Sequence, residues 1–242
     1  MQNILTPIRN TVIMWVKKGR VLDMKNNGMH ITMVLDRSGS MGVIRDDVVG
    51  GVNLFLERQR KDAAEATLTL VQFDTEDPFE VVHSFLPVTE VPPLTADTYC
   101  PRGGTPLLDA TGRTIVNLEN WLAKLPAAER PEKLLIVVVT DGQENSSREF
   151  SAARVKQLIA EKKEMNGWQF VYLSADLEAI DDAIRSGYAR DSVMAFDKTE
   201  KGTKAMFSAL AENTILYSRR AAPSVQFSAA DRAKQENERA RS

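Results

Sequence analysis

Residues 133–142 read KLLIVVVTDG: a lysine, six consecutive apolar residues, then Thr140-Asp141-Gly142. A strand with one wetted face alternates apolar and polar residues. An unbroken run instead marks a central strand covered on both faces, so helices are needed on either side of the sheet. The flanking sequence supplies them. Upstream, residues 30–35 (HITMVL) form a second apolar run ending at Asp36, and residues 43–60 then carry Val48, Val49, Val52, Phe55 and Leu56 at helical spacing. Gly50 and Gly51 lower helix propensity there, which predicts close packing of that helix on the sheet. Residues 67–73 (TLTLVQF) and 79–85 (FEVVHSF) are strand-like runs on either side of a polar turn containing Pro78, which is hairpin spacing. Apolar residues recur at helical spacing from Leu107 to Leu122, in a segment that opens after Pro106 and closes before Pro126.

Downstream of the central run, Ser146 followed by Glu149 has the form of a capping box, for a helix carrying Phe150, Val155, Leu158 and Ile159. A strand at 168–173, a helix at 177–185, a strand at 193–196 and a helix at 203–217 complete the pattern. This alternation predicts an α/β fold with a doubly wound, mostly parallel central sheet. The hairpin strand 79–85 is its one antiparallel edge strand, and helices lie on both faces. No internal repeat or low-complexity linker interrupts residues 28–222, which read as one domain.

Composition narrows the function classes. Lys and Arg number 31 against 33 Asp and Glu, giving a net charge of −2, with 26% charged and 43% hydrophobic residues. This is the balance of a globular chain, not of a collagen, a disordered acidic tail or a strongly basic nucleic-acid binder, so no nucleic-acid partner is expected. A single cysteine, Cys100, excludes an intrachain disulfide framework, and His30 and His83 alone offer little imidazole. Any metal is therefore expected to be hard and oxygen-bound.

The ends differ from the middle. Residues 1–27 form a basic N-terminal extension, with Arg9, Lys17, Lys18, Arg20 and Lys25 against Asp23. Only residues 12–16 are apolar there, with Lys17 and Lys18 directly after them, which is not the layout of an export signal; a cytoplasmic location is expected. The alternation of Val12, Met14 and Val16 suits a short strand on the domain edge, and Met24 and Met29 mark alternative starts. Residues 223–242 read as a charged C-terminal tail, with 229–242 a frayed helix or a solvated segment, because they hold no large apolar residue with which to bury a face. No apolar run approaches the roughly eighteen residues that cross a bilayer, so no stable membrane insertion is expected.

In doubly wound sheets, ligands collect beyond the carboxyl ends of the strands, where strand order reverses. Two strands end in aspartate followed by turns rich in hydroxyls or glycine: Asp36-Arg37-Ser38-Gly39-Ser40 and Thr140-Asp141-Gly142. Between them, Gly103-Gly104-Thr105-Pro106 is a mobile glycine pair that delivers a threonine to the mouth of the next helix. Alternate residues of an extended turn point the same way, so Asp36, Ser38 and Ser40 present one carboxylate and two hydroxyls to a common point. An all-oxygen cluster with few carboxylates suits Mg²⁺, and Mn²⁺ or Ca²⁺ also accept such donors. A nearly neutral inner shell leaves the ion electrophilic toward an external anion.

These residues resemble the metal-ion-dependent adhesion site (MIDAS) of von Willebrand factor type A (vWA) domains, whose sheet is Rossmann-like. The resemblance covers residues 28–222. It is nearest to stand-alone bacterial and phage members, on the stretches Gly103-Gly104-Thr105-Pro106-Leu107-Leu108-Asp109-Ala110 and Thr140-Asp141-Gly142-Gln143-Glu144-Asn145-Ser146. It implies Ser38, Ser40 and Thr105 as direct ligands, with Asp36 and Asp141 in the coordination sphere directly or through water. Such members often accompany ATPase, kinase or stress-response partners, which implies an accessory or regulatory role.

Each residue also has a plainer reading. Asp36, Ser38 and Ser40 could form an ordinary strand-to-helix turn with Ser40 as cap. Gly103 and Gly104 could be loop punctuation, and Asp109 an offset to a helix dipole. Arg37 and Glu144 read as loop charges beside the metal, and Asp74, Glu76 and Asp77 as turn chemistry. Asn145-Ser146-Ser147 fits a glycosylation pattern that is irrelevant without export. Cys100 reads as a loop thiol, His83 as a packed, hydrogen-bonded strand residue and His30 as a strand start. The leading expectation is a non-catalytic interaction module whose Mg²⁺ captures an Asp or Glu side chain of a protein partner. The competing one is a Mg²⁺-dependent phosphohydrolase with Asp36 as nucleophile, although Ser38 stands where such enzymes carry a second aspartate.

Overall fold

The structure, a computed structural model, describes residues 28–63 and 65–239. The basic segment 1–27, with its strand-like run at 12–16, lies outside the described residues. Six strands form one sheet: β1 (Met29–Asp36), β2 (Thr67–Phe73), β3 (Glu80–Pro87), β4 (Lys133–Thr140), β5 (Gln169–Ser174) and β6 (Val193–Ala195). Their order is β3-β2-β1-β4-β5-β6. All pairings are parallel except β2 with β3, so β3 is the antiparallel edge strand. The helices are α1 (Arg45–Asp62), α2 (Leu107–Lys124), α3 (Ala152–Asn166), α4 (Leu177–Arg185), α5 (Glu200–Ser218) and α6 (Ala229–Arg239).

The apolar run of β4 divides between two cores. Leu135, Val137 and Val139 pack in one cluster with Val48, Val52 and Phe55 of α1 and Met206, Phe207 and Leu210 of α5. Leu134, Ile136 and Val138 belong to a second, with Ile115 and Leu118 of α2 and Val155, Leu158 and Ile159 of α3. Successive side chains of a strand leave opposite faces, so six consecutive apolar residues serve two helical layers, each contributing about 1.5–3 kcal/mol on burial. Strand order runs outward from β1 through β2 to β3, then restarts at β4 and runs the other way. The reversal lies between β1 and β4, whose carboxyl ends are Asp36 and Thr140.

Three local expectations are corrected. First, α3 begins at Ala152, capped by Ser151, whose hydroxyl accepts from Arg154 N at 3.2 Å. Ser146 and Glu149 form no capping box, because the backbone N–H groups of residues 146–150 are taken by the carboxylates of Glu144 and Asp109. Second, the close approach at α1 is to a helix and not to the sheet: a Cβ on Gly51 would meet the Phe207 ring of α5 at 2.0 Å, while Gly50 has open space. Third, the ordered fold continues past residue 222. Val225 and Phe227 are buried in the first core, α6 follows, and Gln235 is buried with its amide between Asp197 N (3.1 Å) and the Gly202 carbonyl (3.0 Å). Composition misled here because the apolar anchors precede the charged stretch, and because a polar glutamine can be buried once its amide is satisfied.

Candidate metal centre

The site begins where β1 ends. Asp36 is fully buried; its Oδ1 accepts from Ser38 N at 2.6 Å and its Oδ2 from the Thr140 hydroxyl at 2.5 Å. The Tyr99 hydroxyl donates to the Asp36 carbonyl at 2.6 Å, fixing the strand end from the other side. Burial pushes the Asp36 carboxyl up to about 6, against the lowering effect of hydrogen bonds from Thr140 and Ser38 and with a further rise from Asp141. After Ser38, in extended conformation, the chain turns into a 3-10 helix at Gly39–Ile44. This turn brings Ser38 Oγ and Ser40 Oγ to 3.2 Å, and the Ser40 hydroxyl donates to Asp141 Oδ1 at 2.7 Å.

The loop carrying Thr105 is laced to the first loop through backbone: Gly39 N donates to the Gly103 carbonyl at 3.0 Å and Arg102 N to the Arg37 carbonyl at 2.8 Å. Thr105 is buried at the same edge of the sheet. The bonds that hold it run from its backbone, with Thr105 N to Asn145 Oδ1 at 2.8 Å and Asn145 N to the Thr105 carbonyl at 3.2 Å. Ser38, Ser40 and Asp141 are thus joined side chain to side chain, Asp36 is joined to Thr140 by its side chain and to Ser38 through the Ser38 backbone N–H, and Thr105 joins them by its loop. The glycine pair is demanded by sterics. Gly103 has φ +62°, and a Cβ there would lie 2.4 Å from Thr75 Oγ1; at Gly104 it would lie 2.6 Å from Ser146 Oγ. Tight packing, rather than looseness, is what these positions require.

The donor set comprises two carboxylates and three hydroxyls. No three His, Cys, Asp or Glu side chains converge among the described residues, so hydroxyls must make up most of any shell. The oxygen separations of 2.7 and 3.2 Å bracket the spacing of about 2.9 Å between adjacent corners of an octahedron with ligands at 2.0–2.1 Å. The spacing of the Ser38, Ser40 and Asp141 oxygens therefore fits a small, hard divalent cation.

Several flanking side chains have other duties. Arg37 points inward, only 5% exposed, donating to Asp74 Oδ2 at 2.7 Å, to Gln72 at 3.1 Å and to Glu80. It is an internal pin between β1 and the hairpin, not a loop charge facing a partner. Asp74 also takes Arg102 and the N–H groups of Glu76 and Asp77; burial works to raise its carboxyl, but these bonds outweigh it and hold it below the ordinary range. Glu144 caps Leu108 N, Ser146 N and Ser147 N. Asp109 accepts from the N–H groups of Arg148, Glu149 and Phe150, so it ties α2 to the loop after Asp141. A cavity of about 560 Å³ between α2, α3 and α4 lies beside this loop rather than at the oxygen cluster; it shares Glu144 but is otherwise lined by residues such as Leu107, Tyr172 and Tyr188.

Among solved structures, the VWA domain of SpRpn10 superposes with a TM-score of 0.51 at 12% identity, covering 75% of this chain and 94% of that domain. The chain has the fold of a von Willebrand factor type A domain. The same vWA fold relates it to the pilus adhesin SpaC from Lactobacillus rhamnosus GG, with a TM-score of 0.58, 15% identity and 78% of this chain covered. It also resembles proximal thread matrix protein 1 of the mussel byssus in a form with a zinc-occupied MIDAS motif, with a TM-score of 0.52, 15% identity and 79% covered. The chain spans only 30% of the adhesin and 47% of the matrix protein. No family model and no curated sequence matches it.

Within the vWA frame, sequence reading overlooked Lys198. It follows β6, and its ammonium donates to Asp141 Oδ2 at 2.8 Å. The usable signal was positional: residues after the last strand emerge at the same edge of the sheet as those after β1 and β4. Thr140, read only as part of a turn, proves to be the hydroxyl that holds Asp36. Asn145, read within a glycosylation pattern, is the clasp on Thr105.

Proposed function

We propose that this vWA-fold protein is a metal-dependent protein-interaction module, with Asp36, Ser38, Ser40, Thr105 and Asp141 holding Mg²⁺. The observation that carries the reading is the linked set Ser38–Ser40–Asp141, gathered from the ends of two non-consecutive strands at the point where strand order reverses. When bound, the cation supplies an electrophilic position for a carboxylate oxygen of an Asp or Glu on a protein partner. Ser38 and Ser40 offer neutral oxygens to it, and Asp36 and Asp141 balance its charge from positions fixed by Thr140 and Ser40. The role is accessory rather than catalytic. Both carboxylate oxygens of Asp36 are already engaged and the residue is fully enclosed, which disfavours attack on a phosphate ester. Bacterial or phage origin and a cytoplasmic site of action belong to this same reading.

The test is calorimetric titration with MgCl₂ and MnCl₂, followed by binding to an array of peptides bearing Asp or Glu beside their Asn and Gln counterparts. One metal site is expected, lost in Asp36→Ala and Ser38→Ala, with carboxylate-dependent peptide binding weakened by about 2–5 kcal/mol in the variants and in EDTA. Peptide binding indifferent to EDTA and to Asp36→Ala would overturn the proposal, as would Mg²⁺-dependent turnover of a phosphate ester that Asp36→Asn abolishes.

A further inference from the structure

Asp141 is engaged at both oxygens. Oδ1 takes the Ser40 hydroxyl, on the side of the oxygen cluster, while Oδ2 takes the Lys198 ammonium at 2.8 Å. The Asp141 side chain is completely buried and that of Lys198 is 42% exposed, so the lysine reaches in from solvent to a carboxylate that has none. Its backbone is held on both sides. Asp197 N donates to Gln235 Oε1 at 3.1 Å, and Thr199 caps α5 by accepting from Gly202 N at 3.1 Å. Arg37, the other cation near Asp36 in sequence, is consumed by Asp74 and Glu80, leaving Lys198 to set the charge of the cluster.

We infer that Lys198 is a specificity-determining residue that weakens divalent-cation binding at this site and strengthens binding of the anion that follows. The inference rests on the metal-dependent reading above and deepens it. Asp36 and Asp141 carry two negative charges and Lys198 returns one, so a divalent cation meets a net charge of −1 instead of −2. Once the cation is bound, the assembly is net +1 with the lysine and neutral without it. A cation is therefore repelled and an incoming carboxylate attracted by the same ammonium, which neither ligates the metal nor needs to touch the partner. At a half-exposed position solvent screens part of this effect, and each change should amount to about two- to fivefold.

The two ligands respond in opposite directions, and damage to the fold cannot imitate that. The full chain, Lys198→Met and Lys198→Arg are titrated with MnCl₂ at fixed ionic strength. Each Mn²⁺-loaded protein is then titrated with acetate, following water-proton relaxation as the anion displaces metal-bound water. Lys198→Met is expected to bind Mn²⁺ about two- to fivefold more tightly and acetate more weakly by a similar factor, while Lys198→Arg, which keeps the charge, stays close to the parent in both. Equal affinities in parent and Lys198→Met, or a loss of both affinities together in that variant, overturn the inference, while Mn²⁺ binding by the parent still supports the metal reading. Absence of Mn²⁺ binding in all three proteins overturns the metal reading itself, and this inference with it.

Discussion

His30 shows how a single residue can carry a pH signature without taking part in the site. It is fully buried on β1, with its two ring nitrogens hydrogen-bonded to the hydroxyls of Thr67 (2.8 Å) and Thr32 (3.2 Å), and Phe85 is stacked between it and Trp121. Burial lowers its pKa from 6.5 to about 3. The folded chain thus keeps the ring neutral while the unfolded chain gains a proton below pH 6.5. The stability contribution is complete above 6.5 and drains as pH falls toward 3, at up to about 1.4 kcal/mol per pH unit. Asp36, raised to about 6, runs in the opposite sense over part of this range, so the informative quantity is the difference between two proteins. In urea unfolding with EDTA present, His30→Gln is expected to be less stable at neutral pH but to show a gap to the parent that narrows between pH 6 and pH 4. A constant gap would count against the neutral buried ring. Nothing in the sequence around His30 discloses this environment, because Phe85 and Trp121 come from 55 and 91 residues away.

At the scale of elements, α1 and α5 meet without the usual cushion of side chains. Gly51 admits the Phe207 ring, which a Cβ would strike at 2.0 Å, whereas a Cβ at neighbouring Gly50 would meet open space. Gly51→Ala is therefore expected to destabilise by about 1–3 kcal/mol through overpacking, and Gly50→Ala to stabilise by about 0.5–1 kcal/mol through helix propensity alone. Denaturant midpoints of the two variants should move in opposite directions. Equal gains would show that the helices adjust freely at this contact. The glycine pair was visible in the sequence as an anomaly within a helix, but not which glycine mattered or what it faced. The same holds for the capping box at Ser146: the local motif was sound, yet Glu144 and Asp109 had already claimed the N–H groups it needed.

For the molecule as a whole, the two apolar cores lie on the two faces of the sheet, and the five proposed oxygen donors belong to strand ends and loops at its carboxyl edge, so the metal is expected to add to stability without being required for folding. Chelation is expected to leave the far-UV circular dichroism unchanged, while MgCl₂ at a hundredfold excess over its Kd adds about 2.7 kcal/mol to unfolding stability. A urea midpoint indifferent to saturating MgCl₂ would argue that the oxygen cluster is a hydrogen-bonded strand end only. The sequence by itself determined the layered α/β fold, the central place of residues 133–140, the hairpin edge and the strand ends at which Asp36, Ser38, Ser40 and Asp141 meet. It could do so because each depends on local periodicity and on the rule that consecutive parallel strands deliver their carboxyl ends to one edge. Tertiary structure alone decided that Arg37 turns inward, that Glu144 and Asp109 bind backbone, that Val225 and Phe227 extend the core, and that Lys198 sits on Asp141. Each of these is a charge or contact satisfied by a partner distant in sequence, and a residue's own neighbours along the chain carry no record of what the fold will bring beside it.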